Sequence, residues 1–436
     1  MQTILYSVLA IIAIVLGLNI MNWCFKQPNN IIYLAAFIYV YEVVSHLFSF
    51  SVDIIRLGPL RLGPSDTLYI LMLFMVLVKN AKYHTVKYLK KGTLAVYSTY
   101  CAVQALFLIS VLRGLLTYGF TSDTSTDFRR FYDFLIPIMF MLNFKVDFNN
   151  RKVSRFIDKF MMFVVSFCYV MWLVIIVTGL RLQTTTNEGG TYLRIFGPDT
   201  TFVLAIYALF CLNKDLKIQD RISSKTMLVM LAVIIMQQRT VWVCFAIGAV
   251  LVLMNYRSDE SQERKFIIGK RFFIQCTIMV AAVIGIIIAS PQSGIFNDLT
   301  NSFSSFSNLS EGTFAYRTMI WQGHLSTLKG LNAIIGKPFG AGYEVTLAAA
   351  GYSRVLSAHN GFIMVALRTG YLGVALFVLL LAELIWKGYR QRKLSVLIFS
   401  LMIAVYFVGY SFDWHIGLGL GFCLRSIIED EEPIAE

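Results

Sequence analysis

Long apolar runs separated by short polar stretches dominate the chain, and their lengths are helical rather than strand-like. They fall at 3–22, 31–52, 65–79, 94–116, 131–144, 157–180, 200–213, 225–237, 240–254, 272–290, 359–386 and 394–412. A helix needs about 20 mainly apolar residues to cross a bilayer, with a range of about 17–25. The pattern therefore predicts about twelve spanning helices, give or take one. Several runs are short of full length, so their flanks must extend them or neighbouring helices must shield them. A weaker run at 415–428 is a candidate to return the chain across. Between 291 and 358 lies the one soluble-sized stretch. Its start, Ser302-Phe-Ser-Ser-Phe-Ser-Asn-Leu-Ser310, is loop-like, and a helix is expected from Glu311 to about Lys329 with Ser310 as N-cap. The expected organisation is ten spans in 1–290, a large extracytoplasmic loop with short helices at 291–358, and C-terminal spans with an acidic tail at 359–436.

Composition supports a membrane protein. Of 436 residues, 57% are hydrophobic and 14% charged, against about 45–50% and about 25% in soluble domains. That excludes a water-soluble enzyme, a nucleic-acid reader and a disordered chain. Residues 1–2 supply no basic leader and 3–22 can span unaided, so the start reads as a span and not as a secretory signal. The seven cysteines (24, 101, 168, 211, 244, 276 and 423) lie in or beside apolar runs without any CxxC, which supports neither a disulfide framework nor zinc.

The net charge of +13 resolves into two unlike populations. Basic loops at 79–91, 145–155, 214–225, 257–271 and 387–393 alternate correctly along the runs, and the positive-inside rule places all of them in the cytoplasm. With Lys26 they hold 15 Lys and 8 Arg. The opposite side carries 53–64, 117–130, 181–199, the turn at 238–240 and the segment 291–358. Its basic residues are Arg56, Arg61, Arg113, Arg129, Arg130, Arg181, Arg194, Arg239, Arg317 and Arg354, with only Lys329 and Lys337. Orientation requires positive charge inside and does not explain arginine outside. Guanidinium offers a planar fork for phosphate or carboxylate, so an outer anion site is one reading. Arginines snorkelling to headgroups are the other. Arg239 fits the second least well, because the turn Gln237-Gln-Arg-Thr240 between two apolar runs leaves little room to snorkel.

His359 begins the run that re-enters the membrane, where a neutral imidazole can accept a proton or simply cap a helix. No HExxH, Gly-X-Ser-X-Gly or Walker-type loop occurs, and nothing supports a metal at His359 or His324. Glu42 and Asp158 are candidates for intramembrane or interfacial acids. A transporter would want more such charges together with repeat symmetry, and the sequence shows neither.

Ordered blocks across about 190–386 resemble the bacterial O-antigen ligase and Wzy-type polysaccharide polymerase superfamily. They are Leu193-Arg-Ile-Phe-Gly-Pro-Asp199, Gln238-Arg-Thr240, Tyr316-Arg-Thr-Met-Ile-Trp321 followed by Gly336-Lys-Pro-Phe-Gly-Ala-Gly342, and His359-Asn-Gly-Phe with Gly370-Tyr-Leu-Gly373. Gln238 stands where that family usually has Ser, and Pro198-Asp199 replaces Pro-Asn. The resemblance implies a GT-C-like helical architecture and metal-independent, inverting glycosyl transfer on the outer face of the bacterial cytoplasmic membrane. The implied donor is a glycan on undecaprenyl pyrophosphate. Arg239 and Arg317 match the family's two essential arginines and would clamp the pyrophosphate. His359 matches its catalytic histidine and would take the acceptor proton. Arg194 is a further candidate for glycan or phosphate contact, and Tyr316 and Asn360, inside matched blocks, complete the expected substrate-binding set.

The resemblance implies no cofactor or metal. It implies partners in the lipid-linked oligosaccharide, the bilayer, a flippase and a Wzz-like chain-length regulator. It leaves open a polymerase of repeat units or a ligase delivering finished glycan to lipid A-core or another acceptor. A transporter or flippase, or a membrane scaffold without chemistry, are the readings from other classes.

Overall fold

The computed structural model describes residues 17, 19–50, 55–57, 60–82, 91–148, 150–178, 186–187, 190–191, 195–219, 222–258, 312–347 and 352–429. Its helices are α1 (Ile31–Phe48), α2 (Pro64–Lys82), α3 (Lys91–Tyr118), α4 (Ser122–Asn143), α5 (Arg151–Thr178), α6 (Pro198–Gln219), α7 (Ser224–Ile235), α8 (Arg239–Ser258), α9 (Gly312–Ser326), α10 (Leu331–Ile335), α11 (Gly361–Arg390), α12 (Leu394–Gly409) and α13 (Trp414–Glu429). Among the described residues three small antiparallel hairpins lie in the connections, the largest pairing Glu344–Leu347 with Tyr352–Val355.

Four of these helices, in α1, α3, α5 and α11, are long and apolar enough to cross a membrane. Apolar α7, α8, α12 and α13 are shorter. Every expected run from 31–52 to 240–254, and those at 359–386, 394–412 and 415–428, coincides with a helix. The run at 272–290 lies outside the described residues, as does most of 3–22. In the large loop, α9 occupies the expected helix but ends at Ser326, and Ser310 and Glu311 lie outside the described residues.

Helix ends follow the local chemistry. Thr121 caps α4, its hydroxyl accepting from the Thr124 amide at 3.2 Å, and Ser223 caps α7 in the same way. Such caps satisfy amides the helix leaves without partners. α7 has 12 residues, about 18 Å of rise, well short of a hydrocarbon core about 30 Å thick. The turn that follows it is covered by the rest of the protein, with Gln237 and Gln238 0% and 5% exposed.

α13 packs along α4, α12 against α8 and α11, and α3 against α11. An aromatic seam of Phe131, Phe134, Phe377, Phe407 and Phe412 fills the centre. Phe339 joins it from the large loop, fully buried with its ring 5.3 Å from Phe131. Burying such a side chain stabilises by about 1.5–3 kcal/mol. The glycine-rich turn 336–342 is thus wedged into the bundle. Gly370 has φ +70 inside α11, and a Cβ there would lie 2.1 Å from the Ile334 carbonyl. This kink frees the Leu367 carbonyl to accept from the Lys337 amide at 2.7 Å. On the other flank the Arg113 guanidinium donates to the carbonyls of Ile335 and Gly336.

Candidate functional site at the end of α12

α12 ends at Gly409 because Tyr410 turns extended, and the last turn of any helix leaves carbonyls without intrahelical donors. Here two distant segments supply them. Asn360 Nδ2 donates to the Val408 carbonyl at 3.0 Å, and Arg317 Nη1 donates to the Gly409 carbonyl at 3.2 Å. A third segment abuts the same point, since a Cβ on Gly409 would lie 2.4 Å from Thr240 Oγ1. The Tyr410 hydroxyl donates to Gln238 Oε1 at 2.8 Å, and its ring lies 5.7 Å from the Arg317 guanidinium. Gln238 Nε2 in turn donates to the Phe196 carbonyl at 3.3 Å. Segments 237–240, 316–321 and 358–361 therefore converge on three residues, Val408 to Tyr410, and 195–199 joins them through Gln238.

Arg239 is the first residue of α8, so it stands at the positive end of that helix, where backbone amides and dipole favour an anion. Arg317 is held from one side by a carbonyl and an aromatic ring, and among the described residues no acid pairs with it. Tyr316, beside it on α9, is 43% exposed. Arg194 lies outside the described residues.

His359 is fixed through its neighbours. The Trp321 indole donates to the Ala358 carbonyl at 2.6 Å. Asn360 caps α11, its Oδ1 accepting from the Ile363 amide at 3.0 Å, so both ends of that amide are engaged by protein. Between these anchors His359 adopts φ +44, in the left-handed region. Non-glycine residues pay for that conformation, and such strain concentrates at functional sites. The residue is exposed, while its surroundings partly desolvate the ring. That desolvation, with the charges of Arg317 and Arg130, holds the imidazole below its ordinary pKa of 6.5. It is therefore neutral at pH 7 and able to accept a proton.

Arg130 extends the site. Its guanidinium lies 4.8 Å from the Tyr343 ring centroid, and with Arg129 it lines a cavity of about 560 Å³ whose other polar walls are Ser65, Ser122, Ser125, Thr126 and Asp133, with Glu42 and Asp413 also on its lining. Hydroxyls, carboxylates and two guanidinium groups suit a hydroxylated ligand.

Two groups here were not legible as site components. Arg368 of α11 and Asp127 of α4, each fully buried, form an ion pair at 2.8 Å. The Gly340 amide and the Tyr343 hydroxyl also donate to Asp127, which ties the wedged loop to two helices. An arginine inside the apolar run 359–386 was the available signal. The second group is acidic and half-buried around a buried imidazole: Glu42, Asp199, Asp413 and His415 approach one another from α1, α6 and the start of α13. Only Glu42 stood out in the sequence. Neither family models nor curated proteins match this chain.

Proposed function

We propose that this chain is a multi-pass glycosyltransferase of the bacterial cytoplasmic membrane. In this reading it polymerises oligosaccharide repeat units carried on polyprenyl pyrophosphate, at the outer face and with inversion. About twelve spans and a GT-C-like arrangement belong to the same reading. The observation that carries it is the convergence of Gln238–Thr240, Arg317 and His359–Asn360 on one helix end. These are the segments whose motifs resemble the polymerase and ligase superfamily.

The chemistry asks for little beyond positioning. The acceptor hydroxyl oxygen attacks the donor sugar C1 from the face opposite the pyrophosphate, and its proton passes to the neutral His359 imidazole. The bond from C1 to the phosphate oxygen breaks as the new glycosidic bond forms. Negative charge then grows on the departing pyrophosphate, where Arg239, Arg317 and the α8 amides stabilise it. The imidazole afterwards releases its proton to water. The hydroxyl-rich cavity beside Arg130 offers room for sugar units. A flippase supplying the donor and a chain-length regulator are the accompanying partners.

The test is a glycan ladder from a deletion strain complemented with wild type or His359→Gln, paired with transfer by purified protein from a lipid-linked oligosaccharide. The expected result is a ladder and transfer with wild type and neither with the variant, at equal membrane levels. Near wild-type transfer by His359→Gln would reduce the residue to a helix cap and remove the mechanism. Single additions to lipid A-core, in place of a ladder, would make the enzyme a ligase.

A further inference from the structure

We infer that Glu42, Asp199 and His415 form a binding site for one divalent transition-metal ion of the zinc type. In this site the ion pins the first turn of α13 to α1 and α6. The inference does not depend on the proposed transfer reaction, and the ion is not placed at its reacting atoms.

The three residues come from α1, the first turn of α6 and the first turn of α13, and one ligand atom from each lies within 4.8 Å of the others. Two carboxylates and an imidazole are a donor set that suits zinc. The orientation of the imidazole is the independent observation. His415 is 4% exposed at its side chain, and its Nδ1 faces Asp413 Oδ1 at 2.9 Å. An ionised carboxylate only accepts, so Nδ1 carries a proton; when the ring is neutral, as a metal ligand must be, the lone pair is on Nε2. That Nε2 makes no hydrogen bond. It faces Glu42 Oε2, also buried and without a hydrogen bond, at 3.4 Å. Two atoms bound to a tetrahedral zinc at about 2.0–2.2 Å lie about 3.4 Å apart.

The surroundings are those of a metal site in other respects. Glu42 Oε1 accepts from the Trp414 indole at 2.7 Å and from the Ser65 hydroxyl at 3.2 Å, which aims Oε2 at His415. Trp414 stacks on the imidazole with centroids 3.7 Å apart, and Tyr39 meets it edge-on. A carboxylate holding the far nitrogen of a ligating histidine is the usual outer-shell arrangement. Asp413 also lies within hydrogen-bonding reach of Asp199, so three carboxylates surround one ring. Like charges this close need shared protons or a compensating cation, and the cation is either the protonated His415 ring or a bound metal ion. An access route is present, because Glu42 and Asp199 line a cavity of about 500 Å³ with Ser45, His46, Ser49 and Thr200. Charged groups facing the cluster from neighbouring elements are Asp133 and Asp66, both engaged by Arg129.

The experiment uses the full chain purified in detergent with zinc added, then stripped with a chelator, with bound metal measured by mass spectrometry. Wild type is expected to hold close to one zinc per chain. Stripping should lower its melting temperature and zinc should restore it, whereas magnesium should not. His415→Gln and Glu42→Gln should each hold less than a tenth as much. Because either could misfold, Asp413→Asn serves as the milder variant: it keeps all three ligands and should weaken zinc binding about 10–100-fold. The exposed Glu344→Gln should bind as wild type does. Folded wild type that takes up no more zinc than His415→Gln, or whose melting temperature zinc leaves unmoved, would overturn the site and leave the cluster held by shared protons. Restoration by magnesium alone would overturn the assignment to a zinc-type ion.

Discussion

Arg368 and Arg317 show opposite fates of the same side chain. Arg368 is fully buried, paired with Asp127 at 2.8 Å and bonded to the Gly342 carbonyl. Its charge is spent inside the protein. Arg317 is half-buried, touches a carbonyl and the Tyr410 ring, and pairs with no acid among the described residues. Its charge is left for something else. The difference shows that an arginine in a membrane protein must be judged by its counter-charge and not by its depth.

The largest effect is expected at the closed pair. Arg368→Met leaves Asp127 buried without its cation and should cost about 3–5 kcal/mol, read as thermal unfolding in detergent. Adding Asp127→Leu should recover only part of that, since it removes the stranded charge but also leaves the Gly340 amide and Tyr343 hydroxyl without their acceptor. Full stability of Arg368→Met alone would erase the contrast.

At the open site the loss should appear in rate and not in stability. His359→Gln should lower transfer about 10²–10⁴-fold while the protein persists at normal level. Because its pKa lies below 6.5, wild-type activity should hold from neutral pH down past 6.5 and fall only as pH drops through the lower value. A fall centred above 6.5 would point to another group.

Arg317→Lys and Arg239→Lys should each cost about 10²–10³ in rate, by analogy with a lost oxyanion donor, with unfolding unchanged. Lys329→Arg, on an exposed loop position, should be silent. If Arg317→Lys unfolded the protein as Arg368→Met does, the two arginines would belong to one structural class.

Gly370→Ala probes the wedge both regions share. Its positive φ and the nearby Ile334 carbonyl predict a loss of about 1–3 kcal/mol, again by thermal unfolding. The smallest effect is expected at His324, whose Nε2 donates to the Leu356 carbonyl at 2.9 Å. Burial lowers its pKa to about 4. Between that value and about 6.5 the unfolded chain binds a proton that the folded one does not, so stability falls as pH falls. His324→Gln should remove about 1 kcal/mol of that loss at pH 5.5; an unchanged pH slope would place the burden elsewhere.

The apolar runs made almost every described helix legible, because a helix in lipid must satisfy its own backbone and bury few charges. The resemblance picked out Arg239, Arg317 and His359, and the folded chain holds their segments against one helix end. What the runs could not give was where short helices stop in depth. α7 and α12 were too short to span by themselves, and only their packing shows that Gln238 and Gly409 end side by side.

By itself the sequence determined that this is a helical membrane protein whose lysine-rich segments alternate with arginine-rich ones, since hydropathy and charge bias act residue by residue along the chain. Tertiary structure alone decided which charges cancel. Asp127 and Arg368 are 241 positions apart, and Glu42 and His415 meet from nearly opposite ends of the chain. Ion pairing depends on a few ångströms in space, and no period or spacing in the sequence encodes that distance.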